Sequence, residues 1–304
     1  MTYLVKPLSY VLIIVLGYVL KRAGFLKKTD QALLSKIMLN VTLPCAIISG
    51  FADVKRDAGL FLISGIGLLA GFLPMLLMYL TTRGVETRLR AYRMLNIGGS
   101  NIGCFSLPLV QAFFGSQGVV TACMFDVGNA VMMTGGSYTM TSTLLHVGGG
   151  ERDGIREILL KFLRSAPFDT YMILLAMLAL DIRVPAVVCQ LLQPTGAANA
   201  FLAMLIIGLM FEPAMEKSMV REMARQLACR YAFSAAAALC CWAAPFDPTV
   251  RRVLCVLCFA PVSALAPVYT ERCGSFAALS GFTNSVSIAI SLFCMFALSM
   301  IFVA

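Results

Sequence analysis

The chain has 304 residues, 60% of them hydrophobic and only 13% charged, with a formal net charge of +9 and a mean hydropathy of +0.86. Soluble domains carry about 25% charged residues, and a water-soluble fold of this length has nowhere to hide so much apolar surface. The composition excludes an ordinary soluble enzyme. It also argues against a nucleic-acid surface, because the basic residues lie in short stretches between apolar runs without interleaved exposed aromatics.

Apolar runs cover residues 2–20, 32–51, 58–80, 91–114, 118–145, 167–180, 184–211, 219–244, 250–269 and 276–303. Most have the roughly 20 residues that a helix needs to cross about 30 Å of hydrocarbon. The expectation is an all-α membrane protein of about ten spans. The first run follows Lys6 and is closed by Lys21-Arg22 without a small-residue cleavage site, so it reads as a retained helix and not as a signal peptide. The second contains Asn40-Val41-Thr42-Leu43-Pro44. The fourth contains Asn96-Ile97-Gly98-Gly99-Ser100-Asn101-Ile102-Gly103, ending in Pro108. The fifth carries Asp126, roughly 13 Å deep at 1.5 Å per residue, with Asn129 three positions on and on nearly the same face. The sixth is short, the seventh holds Asn199, the ninth holds Pro261, Ser263 and Pro267, and the tenth holds Asn284, Ser285 and Ser287.

Residues 146–165 form the longest polar stretch and fall between spans five and six. They divide the chain into residues 1–145 and 166–304, each with five spans, and an odd number per half makes two inverted repeats. A shift of 159 positions supports this, carrying Asn40 to Asn199, Pro108 to Pro267 and Asp126 to Ser285. Basic residues set the orientation. Of the 24 lysines and arginines, 18 fall in the odd-numbered loops, among them Arg93 and Arg230. Those loops are expected to be cytoplasmic, with both termini outside. Most of the eleven cysteines lie inside apolar runs and read as reduced, packed thiols. No metal or cofactor set stands out.

Proline removes a backbone hydrogen bond and glycine loosens the chain. In lipid the freed groups must be satisfied by protein or face a lined cavity. Interruptions at mid-span are therefore the best sequence pointers to a binding site. Two of them, in spans four and nine, are predicted to cross with half-helix ends facing one point. Gly99-x-x-x-Gly103 has a competing reading as a helix-packing motif. Asp126, an intramembrane carboxylate, is a candidate coupling group, with a structural aspartate bonded to a neighbouring helix as the alternative.

These residues carry a resemblance. Leu39-Asn40-Val41-Thr42-Leu43-Pro44 resembles the N-x-x-L-P signature of the auxin efflux carrier family, which includes bacterial malonate and malate carriers. The run from Asn101 to Leu109, followed by Phe114-Gly115, is similar to the span-four crossover of that family. Phe125-Asp126-Val127-Gly128-Asn129 is similar to the span-five motif of its bacterial members. The second half matches more loosely. The resemblance implies a fold like that of bile-acid sodium symporters: two inverted five-helix repeats with crossing broken helices. It further implies an elevator motion of spans three, four, five, eight, nine and ten against one, two, six and seven. Asn101 matches the asparagine that holds the substrate carboxylate in plant members, and Pro108 and Pro267 match the crossover prolines. Ala264, Leu265 and Ala266 stand where the family pattern leads one to expect a polar group.

Together these features predict a secondary carrier of small organic anions in the cell membrane and not an enzyme. Asn101, with backbone N–H groups near Ser100 and Ser263, would hold the anion, and Asn40 and Asn199 would line the opposite side. Gly103, Pro108, Pro261 and Pro267 would shape the crossover. Asp126, Asn129, Asn284 and Ser285 would couple or support it. A proton or sodium ion is the expected coupling partner, and a homodimer is compatible with the fold. The alternatives are a cation/proton antiporter or a sodium-coupled symporter of the same architecture.

Overall fold

The structure is a computed structural model that describes residues 2–27, 29–50, 59–148, 166–180, 182–210 and 219–303. Thirteen α-helices are found among these residues: α1 (Thr2–Arg22), α2 (Asp30–Ile37), α3 (Leu43–Gly50), α4 (Leu60–Thr81), α5 (Thr87–Leu95), α6 (Leu107–Val131), α7 (Ser137–Leu145), α8 (Ala166–Ala179), α9 (Ala186–Met210), α10 (Val220–Ala243), α11 (Pro248–Leu257), α12 (Ala266–Arg272) and α13 (Ala277–Val303). Wide π turns at Met38–Thr42, Ile102–Ser106 and Met132–Gly136 join or precede several of them. One isolated antiparallel β-bridge, Ser100 to Val262, interrupts this all-helical pattern.

Five helical stretches among the described residues are long and apolar enough to cross a bilayer: Asp30–Ser49, Leu62–Thr81, Gln117–Leu145, Ala186–Leu209 and Ala277–Phe302. The chain is an all-α membrane protein. Predicted spans four and nine appear as interrupted helices. Span four is α5, a break, the π turn Ile102–Ser106 and the start of α6; span nine is α11, a break and α12. The chain then turns a corner inside α6, where Gly115 adopts φ 60° and ψ −151°, a left-handed region that L side chains avoid. The predicted connecting stretch is described only to Gly148. The remainder, residues 149–165, lies outside the described residues.

Lipid supplies no hydrophobic drive between helices, so close backbone approach has to bind them. α1 packs along α9, and α9 along α3; α4 packs along α6, and α6 against α11. Two reciprocal glycine pairs mark the tightest approaches. A Cβ at Gly17 would collide with the Leu205 carbonyl across the α1–α9 contact, and one at Gly208 with the Ile14 carbonyl. Between α4 and α6, a Cβ at Gly67 would collide with the Phe125 carbonyl, and one at Gly128 with the Ser64 carbonyl. Gly99 and Gly103 do not share a helix. Gly99 lies in the break and Gly103 in the π turn after it, so their spacing is not the packing motif it resembles.

Candidate functional site at the crossing of two broken helices

The first break follows α5. Asn96 closes that helix by donating from Nδ2 to the Tyr92 carbonyl (2.8 Å), while its own Oδ1 accepts from Ser280 Oγ (2.8 Å). Gly98 and Gly99 then carry the chain out of helical geometry, and helix resumes with the π turn at Ile102. The second break follows α11, where Pro261 has no N–H to continue the ladder. Pro108 and Pro267 sit in the first turns of α6 and α12, where a missing N–H removes nothing. They restart helices and do not make the breaks.

The two breaks pair with each other. Asn101 N–H donates to the Pro261 carbonyl (3.0 Å) and Ser263 N–H donates to the Gly99 carbonyl (3.1 Å), the hydrogen bonds of a short antiparallel ladder. This corrects one expectation. The Ser263 N–H is engaged inside the crossing, and so is the Ser100 N–H, which donates to Asn129 Oδ1 (3.0 Å). Neither is free to hold an anion, because buried backbone groups satisfy one another wherever they can.

Two side chains clamp the ladder from outside. Asn129, on α6, accepts from Ser100 N–H and returns a hydrogen bond from Nδ2 to the Ser100 carbonyl (2.8 Å); the same Nδ2 donates to Asp126 Oδ1 (3.0 Å). Ser287, on α13, accepts from Val262 N–H (3.1 Å). Each half of the crossing is thus held by a polar residue from the helix that follows it.

A family profile described as "Membrane transport protein" matches residues 3–301. The chain belongs to this family, that of the auxin efflux carriers. A curated relative, an uncharacterized transporter of Methanothermobacter thermautotrophicus, is 30% identical over 148 residues. The match covers 47% of this chain and 48% of that protein, so it spans about half of each.

Within this family member, only some of the predicted site residues meet. Ser100, Asn101, Pro261, Ser263, Asn129 and Asp126 come together at the crossing, with Gly103 beside them: a Cβ on Gly103 would stand 3.3 Å from Asp126 Oδ2 and 4.0 Å from Leu43 of α3. Asn101 is 5% exposed, and its side-chain amide bonds to none of the described residues. Asp126 is only partly buried. Asn199 is fully buried elsewhere, accepting from Thr42 Oγ1 (3.0 Å) and so tying α9 to the π turn Met38–Thr42. Asn40 has an exposed side chain that donates to the Lys36 carbonyl (2.8 Å). On α13, Asn284 is buried and its Oδ1 has no partner among the described residues, and Ser285 Oγ donates to Gly281 within its own helix (3.2 Å).

Two arginines had been assigned to loops by the charge count. Arg93 is buried in α5 and paired with Glu222 (2.6 Å). Arg230 lies midway along α10 with its guanidinium inside the crossing. The signal for it was present in the sequence. Residue 230 falls eleven positions into the predicted span 219–244, and an intramembrane arginine is a functional candidate by default. A hydrogen-bonded relay therefore runs through the crossing, from Asp126 to Asn129 to Ser100 to Arg230.

Proposed function

We propose that the chain is an elevator-type secondary carrier of small mono- or dicarboxylates across the cell membrane, loaded at the crossing and coupled to protons through Asp126. The observation that carries this reading is the side-chain amide of Asn101, buried, without a partner among the described residues, and placed at the start of a helix. The first N–H groups of any helix lack intrahelical acceptors and carry partial positive charge, which suits a carboxylate. The block α1–α3–α9 and the block α4–α6–α11 pack mainly within themselves, consistent with a scaffold and a moving unit. The odd-numbered loops are assigned to the cytoplasm.

Asp126 approaches the same helix start through Gly103. With no substrate bound, its carboxylate complements that positive end. An incoming anion brings a like charge to the same place, so protonating Asp126 favours loading. Uptake is therefore expected to rise as the pH falls on the loading side, and Asp126→Asn, permanently neutral, to flatten that profile. A variant that keeps both its uptake and its pH dependence would remove Asp126 from the coupling role.

The substrate site is tested with purified protein in liposomes and a panel of radiolabelled mono- and dicarboxylates, malonate and malate first, with and without an inward proton gradient. At least one should show saturable uptake. A hydrogen bond to a charged group is worth about 1.5–3 kcal/mol, so Asn101→Ala should lower that uptake by roughly 10- to 100-fold. Saturable uptake unchanged in Asn101→Ala would end this assignment.

A further inference from the structure

Arg230 is the second charge at the crossing, and the carrier cycle described above gives it no task. The residue is 4% exposed, and no carboxylate among the described residues lies within ion-pair distance of it. It donates instead to uncharged oxygens. Nη1 reaches the carbonyls of Asn96 (3.4 Å) and Ile97 (3.2 Å), just past the C-terminus of α5. Nη2 reaches the carbonyls of Ala260 (3.0 Å) and Pro261 (3.2 Å), just past the C-terminus of α11, and Ser100 Oγ (2.8 Å).

Burying a guanidinium without a counter-ion costs several kcal/mol. Here the compensation comes from backbone. Helix C-termini carry partial negative charge and unpaired carbonyls, and two such ends converge on one side chain. Neutral carbonyl and hydroxyl oxygens gathered from two interrupted helices are also the donor set that a hard metal cation takes. We propose that Arg230 is a resident cation: it fills a cation seat made by the converging ends of α5 and α11, holds the two breaks in register, and leaves no room there for an alkali ion.

The seat borders a cavity. It has a volume of about 430 Å³, opens between α4 and α10, is walled mainly by apolar side chains such as Leu73 and Phe233, and reaches Arg230, Ser100 and Ile97. Neither Asn101 nor Asp126 lines it. Shortening Arg230 would therefore leave the seat bordering this cavity, away from the side assigned to the substrate. The inference depends on the crossing geometry alone and stands whichever substrate is carried.

The test is thermal unfolding of the detergent-purified full chain in choline, sodium, potassium or guanidinium chloride at matched low concentration. The wild-type Tm should be the same in choline, sodium and potassium. Arg230→Ala should unfold about 2–3 °C lower or more, as expected when roughly 1–2 kcal/mol is lost from a chain of this size. Guanidinium should restore at least half of that loss saturably, and sodium a smaller part, because a ligand that binds only the folded state raises its stability. Arg230→Lys retains a cation but not the planar fork; it should be destabilised and indifferent to added cations. Selective stabilisation of the wild type by sodium or potassium would overturn the proposal, as would an Arg230→Ala variant that guanidinium does not rescue. Should Arg230→Ala yield no folded protein, the wild-type series and Arg230→Lys still decide, since a cation response in either one refutes a filled seat.

Discussion

Asn129→Ala will reduce saturable uptake by more than 100-fold, a deeper loss than that of Asn101→Ala, although Asn129 is not assigned to the substrate. Asn129 satisfies both backbone groups of Ser100, at 3.0 and 2.8 Å, and one oxygen of Asp126 at 3.0 Å. Truncation leaves the part-buried Ser100 N–H and an Asp126 carboxylate oxygen without this partner, and leaves the Ser100 carbonyl with the Ile102 N–H alone (3.2 Å). Each neutral group left unsatisfied costs about 1–3 kcal/mol, and in lipid the only remedy is rearrangement. Ser100 is also the residue that pairs with Val262, so the rearrangement falls on the ladder itself. Asn129→Asp provides the graded control. Its ionised form can still accept from Ser100 N–H but cannot donate to the carbonyl, and it sets a like charge beside Asp126. Its protonated form regains the donor. Uptake by Asn129→Asp should therefore recover in part as the pH is lowered, while Asn129→Ala stays inactive at every pH. Initial-rate uptake in liposomes from neutral to acidic pH checks both variants, and wild-type rates in Asn129→Ala would show that the clamp is dispensable.

Much of this arrangement was legible in the sequence, and the reasons are physical. Helix breakers in lipid leave backbone groups that must find partners, so Asn96–Gly99 and Pro261 mark real breaks. Asp126 and Asn129 share a helix face by spacing alone, and their contact follows. The partner of each break was not legible, because the pairing of Ser100 with Val262 depends on how distant helices dock. For that reason the Ser100 and Ser263 N–H groups were assigned to a ligand when they serve the protein. The fixed shift of 159 positions also does not describe the pairing. The prolines at 108 and 267 obey it, whereas the bridged residues 100 and 262 do not, since the π turn Ile102–Ser106 inserts extra residues before Pro108. Arg230 was missed for a different reason. Counting basic residues by loop treats each one as a topology signal, and a guanidinium that finds carbonyls at two helix ends escapes that logic. Asn40 and Asn199 look alike as intramembrane amides, yet one turns back on its own helix and the other joins two helices. Sequence spacing contains nothing to tell these apart.

Two glycines on α4, only two positions apart, should respond in opposite senses to the same substitution. Among the described residues nothing lies within 4 Å of a Cβ built on Gly65. At that exposed helical position Gly65→Ala should be neutral or raise stability by up to about 1 kcal/mol, through the better helix propensity of alanine. A Cβ on Gly67 would collide with the Phe125 carbonyl and stand 3.2 Å from Asn129 N. Backbone cannot rotate away as a side chain can, so α4 and α6 must separate. Overpacking of this kind costs about 1–3 kcal/mol or more, and here the strain falls on the stretch of α6 that carries Asp126 and Asn129. Gly67→Ala should accordingly lower the Tm by several degrees and depress uptake beyond what the remaining folded fraction explains, whereas Gly65→Ala should do neither. Unfolding of the detergent-solubilised protein, read beside uptake normalised to folded protein, separates the two effects. Equal Tm values for the two variants would mean that the α4–α6 contact is looser than the glycine geometry requires. A loss of stability in Gly67→Ala with normal specific uptake would mean that the crossing tolerates a displaced α6, and the positional demand placed on Asn129 would weaken with it.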